Sequence, residues 1–359
     1  LLSQIEISYC FFPINSKDLL LSILPLPHAY EFSIGMLYPI AMGCHIVYLN
    51  GAPTASLLMP ALKNVKPSIM LSVPLIVEKI YKLKIRPIFT KNLFLRALYS
   101  IGVIRRALHK VAGGKLLDTF GGNLRFFGIG GSKLDGVAER FLKDARFPYA
   151  IGYGLTETSP LLTAAPPGKI KWQSSGKAVT GVELKIIDAN EKGVGEIAVK
   201  GPNVMSGYYK DPENTKRAFT SDGWFKTKDL GYLDKDGSLF IKGRRDNMFI
   251  GPNGENIYPE EIESIINDYD LVLESLVYKR QGRVIARVHF NYDEIKSGEY
   301  LIIESQESTY KERVEKIKKE LLDFVNSRVN KSSKISEIVE QLAPFEKTAT
   351  QKIKRFLYT

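Results

Sequence analysis

The sequence predicts an α/β protein built from three successive parts. Three textures along the chain support this fold class. Residues 1–175 mix short apolar runs with helical stretches, residues 176–243 alternate like strands between Gly and Asp turns, and residues 244–359 combine two strands with amphipathic helices. A chain of 359 residues is also too long for one ordinary core. We therefore expect an α/β region, a small β-rich subdomain and a separate small α+β domain.

The elements of the first two parts are predicted from short apolar segments. In the α/β region these segments are ILPL, HIVYL, PSIMLSVPLIVEKIY and LRFFGIGG. In the β-rich part, VELKII, GEIAVKG and GSLFIKG alternate as strands do. Asp234-Lys235-Asp236-Gly237 is predicted to be a hairpin turn rather than a calcium loop.

The third part begins with a helix signal, because Tyr258-Pro259-Glu260-Glu261-Ile262 places Pro in a first turn and acids near the positive end of the helix dipole. Two strands, LESLVYK and VIARVHF, then flank Gln281-Gly282-Arg283. Thr309-Tyr310-Lys311-Glu312 has capping-box spacing. The helix that it would start carries one apolar stripe, formed by Val314, Ile317, Leu321 and Val325.

Composition excludes several classes of protein. The longest apolar run, Leu19–Leu26, is too short to span a bilayer and contains Pro25. Cys10 and Cys44 provide neither a disulfide framework nor metal-ligand spacing, which favours a reducing compartment such as the cytoplasm. The chain begins at Leu1 without a Met, so we expect its natural start to lie upstream.

The positive charge is concentrated in one segment. Lys63–Lys115 contains twelve Lys and Arg residues and one acid, Glu78, which accounts for the whole net charge of +11. Basic residues between Leu, Ile and Phe could face anionic lipid, nucleic acid or a phosphorylated ligand, but a solvated helical face is the commoner reason for such a pattern. We predict peripheral contact of residues 63–115 with a membrane surface. No nucleic-acid partner is expected, because no aromatic stacking platform accompanies the segment.

Familiar phosphate and metal motifs are absent from the sequence. Gly128-Ile129-Gly130-Gly131-Ser132-Lys133 fails the G-x-G-x-x-G pattern at its last position, which disfavours a dinucleotide fold. No G-x-x-x-x-G-K-[ST] or HExxH segment occurs.

The segment YGLTETSP, Tyr153–Pro160, contains the parts of a nucleotide site. An aromatic ring beside glycines can cover an adenine face, hydroxyls can bind phosphate oxygens, and a carboxylate can hold Mg²⁺ against them. Taken alone, a Thr-Glu-Thr segment is more often a capping turn.

Three further segments follow YGLTETSP in order: GWFKTKDLG (Gly223–Gly231), IKGRRDNMFIGPNGENIYPEEIE (Ile241–Glu263) and KTATQKIKR (Lys347–Arg355). Together the four resemble the adenylate-forming superfamily of acyl-CoA synthetases, nonribosomal-peptide adenylation domains and luciferases, and most closely its long-chain fatty acyl-CoA ligases. The resemblance covers nearly the whole chain. It implies part of the family's large N-terminal α/β domain, its small β subdomain and its mobile C-terminal α+β domain.

The resemblance also implies an AMP site. Tyr153 would stack on adenine beside Gly154, with Gly130, Gly131 and Ser132 at the edge of the base. Thr156 would bind the α-phosphate, and Glu157 would ligate Mg²⁺. Asp229, in the slot of the family's GWFxTGDLG aspartate, would accept hydrogen bonds from both ribose hydroxyls. Ile241 is assigned to the same site, and Arg244 falls where the family places an arginine on ribose or phosphate.

The remaining assignments concern the reacting groups. Lys352 falls on the family's C-terminal lysine, which neutralises charge as the acyl carboxylate attacks, although Gln351 replaces the usual Gly before it. Asp246 falls at the hinge, and Gly254 in the loop that lines the path of CoA. His28 occupies the position of a histidine or aromatic bordering the acyl site, and a core histidine is the alternative.

The implied function is ligation of a long-chain fatty acid to CoA through an acyl-AMP, with ATP, Mg²⁺ and CoA as the small molecules required. The family's Ser/Thr/Gly-rich phosphate loop ending in Pro-Lys-Gly is absent, so a chain beginning after that loop would have little or no activity. The alternatives are a fatty acyl-AMP ligase that passes the acyl group to a carrier protein, a noncatalytic nucleotide-binding module and a nucleic-acid binder.

Overall fold

The computed structural model describes residues 1–51, 53–90, 93–251, 254–297, 310–348 and 352–359, without the side chains of Leu93 and Ser297. These residues form two compact units, Leu1–Ile241 and Lys242–Thr359, which are described separately. No helix within the described ranges is long and apolar enough to cross a bilayer.

A seven-stranded sheet forms the centre of the first unit. Its strands are β1 (Leu19–Ser22), β2 (His45–Tyr48), β3 (Ile69–Ser72), β4 (Phe126–Ile129), β5 (Tyr149–Gly154), β6 (Leu161–Ala165) and β7 (Lys177–Ala178). They stand in the order β2-β1-β3-β4-β5-β6-β7; β1 to β5 pair in parallel, and β6 and β7 add antiparallel at one edge. Strands β3 and β4 are buried throughout, as expected of parallel strands with covered faces.

Eight helices precede or connect these strands. They are α1 (Leu2–Phe11), α2 (Tyr38–Ala41), α3 (Ala55–Val65), α4 (Pro74–Ile80), α5 (Arg86–Thr90), α6 (Leu93–Ser100), α7 (Gly102–Thr119) and α8 (Gly136–Asp144). Two π-helical segments, Glu31–Leu37 and Tyr81–Ile85, run directly into α2 and α5. Met70, Tyr81, Phe127 and Phe141 belong to one buried apolar cluster between helices and sheet. The predicted α/β fold class is confirmed.

A four-stranded sheet completes the first unit. Its strands are β8 (Glu183–Ile187), β9 (Gly195–Lys200), β10 (Phe225–Leu233) and β11 (Leu239–Arg244), in the order β11-β10-β9-β8, and α9 (Pro212–Ala218) lies between β9 and β10 in the chain. The three strand predictions from alternation are confirmed. The predicted turn is present as well, because the Gly237 amide donates to the Asp234 carbonyl at 3.0 Å and Gly237 has a φ of +78°.

In the second unit, the described residues form two small sheets and three α-helices. Strands β12 (Phe249–Ile250) and β13 (Asn256–Ile257) form an antiparallel pair; β14 (Val272–Arg280), β15 (Arg283–Phe290) and β16 (Glu337–Glu340) form a three-stranded sheet. The helices are α10 (Pro259–Asn267), α11 (Tyr292–Ser297) and α12 (Tyr310–Asn326).

Several sequence predictions for this unit are confirmed. Pro259 is the first residue of α10. A two-residue turn, Gln281-Gly282, joins β14 to β15 with both φ angles positive, as a tight hairpin requires. The four residues of the α12 stripe are all buried. Thr309, the predicted cap, lies outside the described residues.

Candidate active site

Two predicted adenine-binding segments lie at the carboxyl ends of neighbouring parallel strands. Gly130, Gly131 and Ser132 follow β4 directly, and Tyr153 and Gly154 end β5, which pairs with β4 in parallel. In open α/β sheets, ligands bind in the crevice beyond these strand ends. The topology therefore brings both segments to the edge of the sheet where a nucleotide is expected.

Tyr153 and Asp229 are in direct contact. The Tyr153 hydroxyl donates a hydrogen bond to Asp229 Oδ2 at 2.7 Å, although the two residues are 76 positions apart. Asp229 is 6% exposed. A carboxylate has about four acceptor positions, so Asp229 can accept from Tyr153 and from ribose hydroxyls together.

A β-bulge presents Asp229 at this point. The pairing of β10 with β9 shifts register between Lys226 and Leu230, and Lys228 adopts a left-handed φ of +61°. The Lys228 amide donates to Glu196 Oε1 at 3.0 Å, and the Asp229 amide donates to Thr227 Oγ1 at 3.1 Å. A bulge changes the direction in which the side chains around it point. Lys228 stands at the position where the motif GWFxTGDLG has Gly, and Gly is the residue that adopts a positive φ at least cost.

The segment after Tyr153 is held by its own backbone and by Asn203. A Cβ added to Gly154 would lie 1.6 Å from the Pro160 carbonyl oxygen, so only Gly fits here. The Asn203 amide donates to the carbonyls of Thr158 and Leu161 at 2.8 and 2.9 Å. Because Asn203 is buried, these bonds fix the turn that carries Thr156 and Glu157.

Glu157 lies in a 3₁₀ turn, Thr156–Thr158. Its Oε1 accepts a hydrogen bond from the Tyr208 hydroxyl at 3.1 Å. No group of three or more His, Cys, Asp or Glu residues suited to a metal occurs in the part of the chain that the structure describes. One carboxylate nevertheless fits Mg²⁺, which commonly takes one or two carboxylates and completes its shell with substrate phosphates and water.

The loop after β4 is anchored from both sides. An added Cβ on Gly130 would lie 3.3 Å from the ring of Tyr30, and Gly131 has a φ of +95°. Further along, the Asp135 amide donates to Glu78 Oε1 at 2.9 Å, and Asp135 caps α8 by accepting from the amides of Val137 and Ala138. Glu78 thus braces the end of the predicted adenine loop.

A small apolar cavity of about 40 Å³ lies next to these segments. Its wall includes Ile129 and Gly152, the residues that immediately precede Gly130 and Tyr153. It also includes Tyr30, whose amide donates to His28 Nδ1 at 3.3 Å. None of the described residues that line it is charged.

Glu31 is a buried carboxylic acid that the sequence patterns did not single out. It starts the first π-helical segment, accepts a hydrogen bond from Ser22 Oγ at 2.5 Å, and has no partner for its Oε2. Burial raises the pKa of Glu31 to about 7, and the bond from Ser22 only partly offsets this.

The second unit carries four of the predicted residues. Arg244 ends β11, and Asp246 lies in the exposed turn that follows, where the amides of Asn247 and Met248 both donate to the Arg244 carbonyl. Gly254 has a φ of +84° near the turn that joins β12 to β13.

Lys352 is hydrogen-bonded to Thr348 through its backbone. The amide of Thr348 donates to the Lys352 carbonyl at 2.8 Å, and the amide of Lys352 donates to Thr348 Oγ1 at 3.2 Å. Arg355 anchors this segment, because its guanidinium pairs with Glu263 at 2.8 Å and donates to the Val277 carbonyl at 2.7 Å. Gln351, the departure from the family pattern, lies outside the described residues.

Sequence reasoning missed the residues that support the predicted ones. Tyr208, Asn203 and Glu78 lie outside the four matched segments, and Arg355 lies in one of them but had no assigned role. Each acts through a contact distant in sequence. Of these residues, Glu78 could have been noticed in the sequence, because it is the one acid among the cations of Lys63–Lys115.

Several known proteins are similar to this chain. A family model described as AMP-binding enzyme matches residues 1–209. Long-chain-fatty-acid–CoA ligase 1 of Saccharomyces cerevisiae is 31% identical over 292 residues, which cover 75% of this chain and 42% of that protein. 2-Succinylbenzoate–CoA ligase of Listeria monocytogenes is 35% identical over 212 residues, covering 55% of this chain and 43% of that protein. The chain therefore spans less than half the length of these relatives.

Solved structures share the fold at lower identity. ATP-bound MatB from Rhodopseudomonas palustris gives a TM-score of 0.75 at 22% identity, covering 99% of this chain and 62% of that one. O-Succinylbenzoate CoA synthetase from Bacillus subtilis, in complex with its acyl-adenylate intermediate, gives 0.74 at 22% identity, covering 100% of this chain and 64% of that one.

Proposed function

This chain belongs to the AMP-binding enzyme family, and from this premise we propose that the whole protein ligates a long-chain fatty acid to CoA through an acyl-AMP intermediate. ATP provides the AMP moiety, and pyrophosphate and AMP are released in turn. A carboxylate is a poor electrophile because oxide is a poor leaving group, and adenylation replaces oxide with AMP.

The observation that carries the proposal is the hydrogen bond between Tyr153 and Asp229. In the proposed complex, adenine stacks on the Tyr153 ring and the ribose hydroxyls donate to Asp229. Adenine and ribose are adjacent parts of one nucleotide, so their partners must also lie close together. Gly130, Gly131 and Ser132 would border the base, with Ile241 and Arg244 contributing to the same nucleotide.

The lining of the cavity favours an aliphatic substrate over a charged one. An alkyl chain gains about 0.8 kcal/mol for each CH₂ removed from water, and the described wall of the cavity places no charge against it. The cavity borders the residues next to Gly130 and Tyr153, so a chain lying in it would present its carboxylate near the proposed phosphate site. His28 would border the entrance, through its contact with Tyr30.

In the first half-reaction, a carboxylate oxygen attacks the α-phosphorus and the bond to the β-phosphate oxygen breaks. Thr156 would hold an α-phosphate oxygen through its hydroxyl, and Lys352 would offset the charge that develops during attack. Glu157 would hold Mg²⁺, which when bound neutralises phosphate charge.

In the second half-reaction, the CoA thiol attacks the carbonyl carbon of the acyl-AMP, loses its proton and displaces AMP. In this proposal the second unit rotates about Asp246. The rotation would withdraw Lys352 from the α-phosphate and bring the segment containing Gly254 to the path by which the CoA thiol enters. The assignment of a hinge at this boundary is part of the same proposal.

The test is pyrophosphate release by the whole protein across a panel of carboxylic acids, with and without CoA. We expect release with long-chain fatty acids, in keeping with the name of the yeast relative, and acyl-CoA only when CoA is added. Preference for 2-succinylbenzoate, the acid named for the Listeria relative, would overturn the substrate assignment. Turnover with an acyl carrier protein but not with CoA would overturn the acceptor, and absence of adenylation with every acid would overturn the reaction.

The proposed location is the cytoplasm, where ATP and CoA are available. Fractionation of cells followed by detection of the protein tests this directly. Recovery in an extracellular fraction would contradict it.

A further inference from the structure

Glu157, the proposed ligand of Mg²⁺, is held at two points by a segment that none of the four sequence motifs includes. The Met205 amide donates to the Glu157 carbonyl at 2.8 Å, and the Tyr208 hydroxyl donates to Glu157 Oε1 at 3.1 Å. Val204 and Met205 pack against the same buried apolar cluster as Tyr153. One anchored segment therefore holds both the backbone and the side chain of Glu157.

Tyr208 is itself tied to the start of α9. Its amide donates to Thr215 Oγ1 at 2.9 Å, and Thr215 Oγ1 donates in turn to the Asp211 carbonyl at 2.8 Å. The Asp211 amide donates back to the Tyr208 carbonyl at 3.2 Å. A Cβ added to Gly207 would lie 2.6 Å from Thr215 Cγ2, so Gly allows this close approach. The backbone position of Tyr208 is therefore fixed from α9.

Burial does not account for the placement of the Tyr208 ring. Tyr208 is 39% exposed, and the next residue, Tyr209, is 88% exposed. A ring so open to solvent contributes little to the apolar core. The polar contact with Glu157 is the specific interaction that the Tyr208 side chain makes.

The hydrogen bond leaves Glu157 able to bind a cation. Tyr208 contacts Oε1, and a carboxylate has about four acceptor positions spread over its two oxygens. A metal ion can therefore bind at Oε2 while the Tyr208 hydroxyl holds Oε1. Carboxylates that ligate metals are commonly oriented by hydrogen bonds of this kind.

We propose that Tyr208 is a positioning residue for Glu157 and that Thr215 acts through Tyr208. A glutamate side chain loses rotamer freedom when it binds a metal, which weakens the binding. The bond from Tyr208 orders the carboxylate before the metal arrives, so less freedom is lost on binding. The inference rests on the proposed function, because it requires Glu157 to be the ligand of Mg²⁺.

The experiment is calorimetric titration of the whole protein with ATP, without an acid substrate, in saturating Mg²⁺ and in EDTA. The ratio of the two affinities measures the contribution of the metal. Tyr208→Phe keeps the ring and should lower this ratio about tenfold, while thermal unfolding and the affinity in EDTA stay unchanged. Tyr209→Phe is the matched control at the neighbouring exposed position and should leave the ratio as it is.

Variants of Thr215 test the support from α9. Thr215→Val removes the hydroxyl and should lower the ratio by a smaller factor, whereas Thr215→Ser keeps the hydroxyl and should preserve it. If Thr215 acts through Tyr208, Tyr208→Phe/Thr215→Val should have the same ratio as Tyr208→Phe alone. Additive losses in the double variant would overturn the role of Thr215.

Glu157→Gln separates failure of this inference from failure of the proposed function. We expect this variant to abolish the dependence of ATP affinity on Mg²⁺. If it does so while Tyr208→Phe keeps the original ratio, Tyr208 does not position the ligand and the assignment of Glu157 stands. If Glu157→Gln keeps the original ratio, both assignments are wrong. Equal losses with and without Mg²⁺ in Tyr208→Phe would also overturn the inference, because Tyr208 would then only hold the turn.

Discussion

At the scale of single residues, the contact between Tyr153 and Asp229 gives the sharpest prediction. Replacing Tyr153 with Phe removes one hydrogen bond to a buried carboxyl group and should lower the free energy of unfolding by about 1–2 kcal/mol. The ring remains, so AMP affinity should fall only slightly, whereas Tyr153→Ala should lose most of it. Urea unfolding measures the change in the free energy of unfolding, and calorimetric titration with AMP measures the change in affinity.

The control for this prediction is Tyr209→Phe, since the Tyr209 side chain is 88% exposed. It should change neither quantity. Equal AMP affinities for Tyr153→Phe and Tyr153→Ala would show that the ring does not stack on the base.

Glu31 predicts a pH dependence of stability. Burial raises its folded pKa to about 7, above the value of 4.5 for an exposed glutamate, so the folded state binds the proton more tightly. The stabilising contribution is complete below pH 4.5 and is lost as the pH rises through 7. Between pH 4.5 and pH 8, the free energy of unfolding of the unmodified protein should fall by up to about 3 kcal/mol relative to that of Glu31→Gln.

Urea unfolding of both proteins at several pH values provides the test. Gln can still accept the hydrogen bond from Ser22, and any constant offset from its amide group cancels in the comparison across pH. Parallel pH profiles would exclude a titrating Glu31. Glu213→Gln, at an exposed position of α9, is the matched control and should leave the profile unchanged.

The sequence predicted residue types at the candidate site better than it predicted their partners. Tyr153, Glu157 and Asp229 stand in short recognisable segments, whose spacing is visible in one dimension. Tyr208 and Asn203 reach the turn that carries Glu157 from positions about 45 to 51 residues away. Such contacts depend on the packing of separate elements, and no local pattern specifies them.

At the scale of secondary-structure elements, the bulge in β10 predicts a stabilising substitution. Lys228 is exposed and has a left-handed φ of +61°, which costs a residue with a Cβ about 1–2 kcal/mol. Gly adopts this φ without strain but loses more conformational entropy on folding. Lys228→Gly should therefore raise the free energy of unfolding by up to about 1 kcal/mol. Denaturant unfolding measures the change.

The matched control lies two residues away in the same strand. Lys226 pairs with Ala198 in the regular part of the strand pairing, so Lys226→Gly should lower the free energy of unfolding by about 0.5–1 kcal/mol. Destabilisation by both substitutions would argue against a strained backbone at Lys228.

Helices and strands were predictable where local periodicity and burial agree. The α12 stripe is buried as its spacing of three and four residues indicates, and the Pro259 signal marks the first residue of α10. The π-helical segments at Glu31–Leu37 and Tyr81–Ile85 gave no such signal. Their widened turns are set by what they pack against, so sequence period alone does not identify them.

At the scale of the whole molecule, the order of motifs carried more information than any one of them. YGLTETSP alone is compatible with a capping turn, but four segments in one order indicated the family that the match over residues 1–209 then showed. The same order does not specify a substrate. Relatives named for a long-chain fatty acid and for 2-succinylbenzoate match at similar identity, so the likeness does not distinguish between these two acids.

The proposed movement of the second unit gives the last prediction. Asp246 lies in an exposed turn in which the amides of the two following residues donate to the Arg244 carbonyl. Proline at this position fixes φ near −65° and restricts Arg245, so a rotation of the backbone there becomes costly. If the two half-reactions need different orientations of the second unit, Asp246→Pro in the whole protein should slow thioester formation more than adenylation. Pyrophosphate release and acyl-CoA formation, measured in single turnovers, separate the two steps. Asp246→Ala removes the same carboxylate without fixing φ and should spare both steps; equal losses of both in the proline variant would mean that Asp246 is not the hinge.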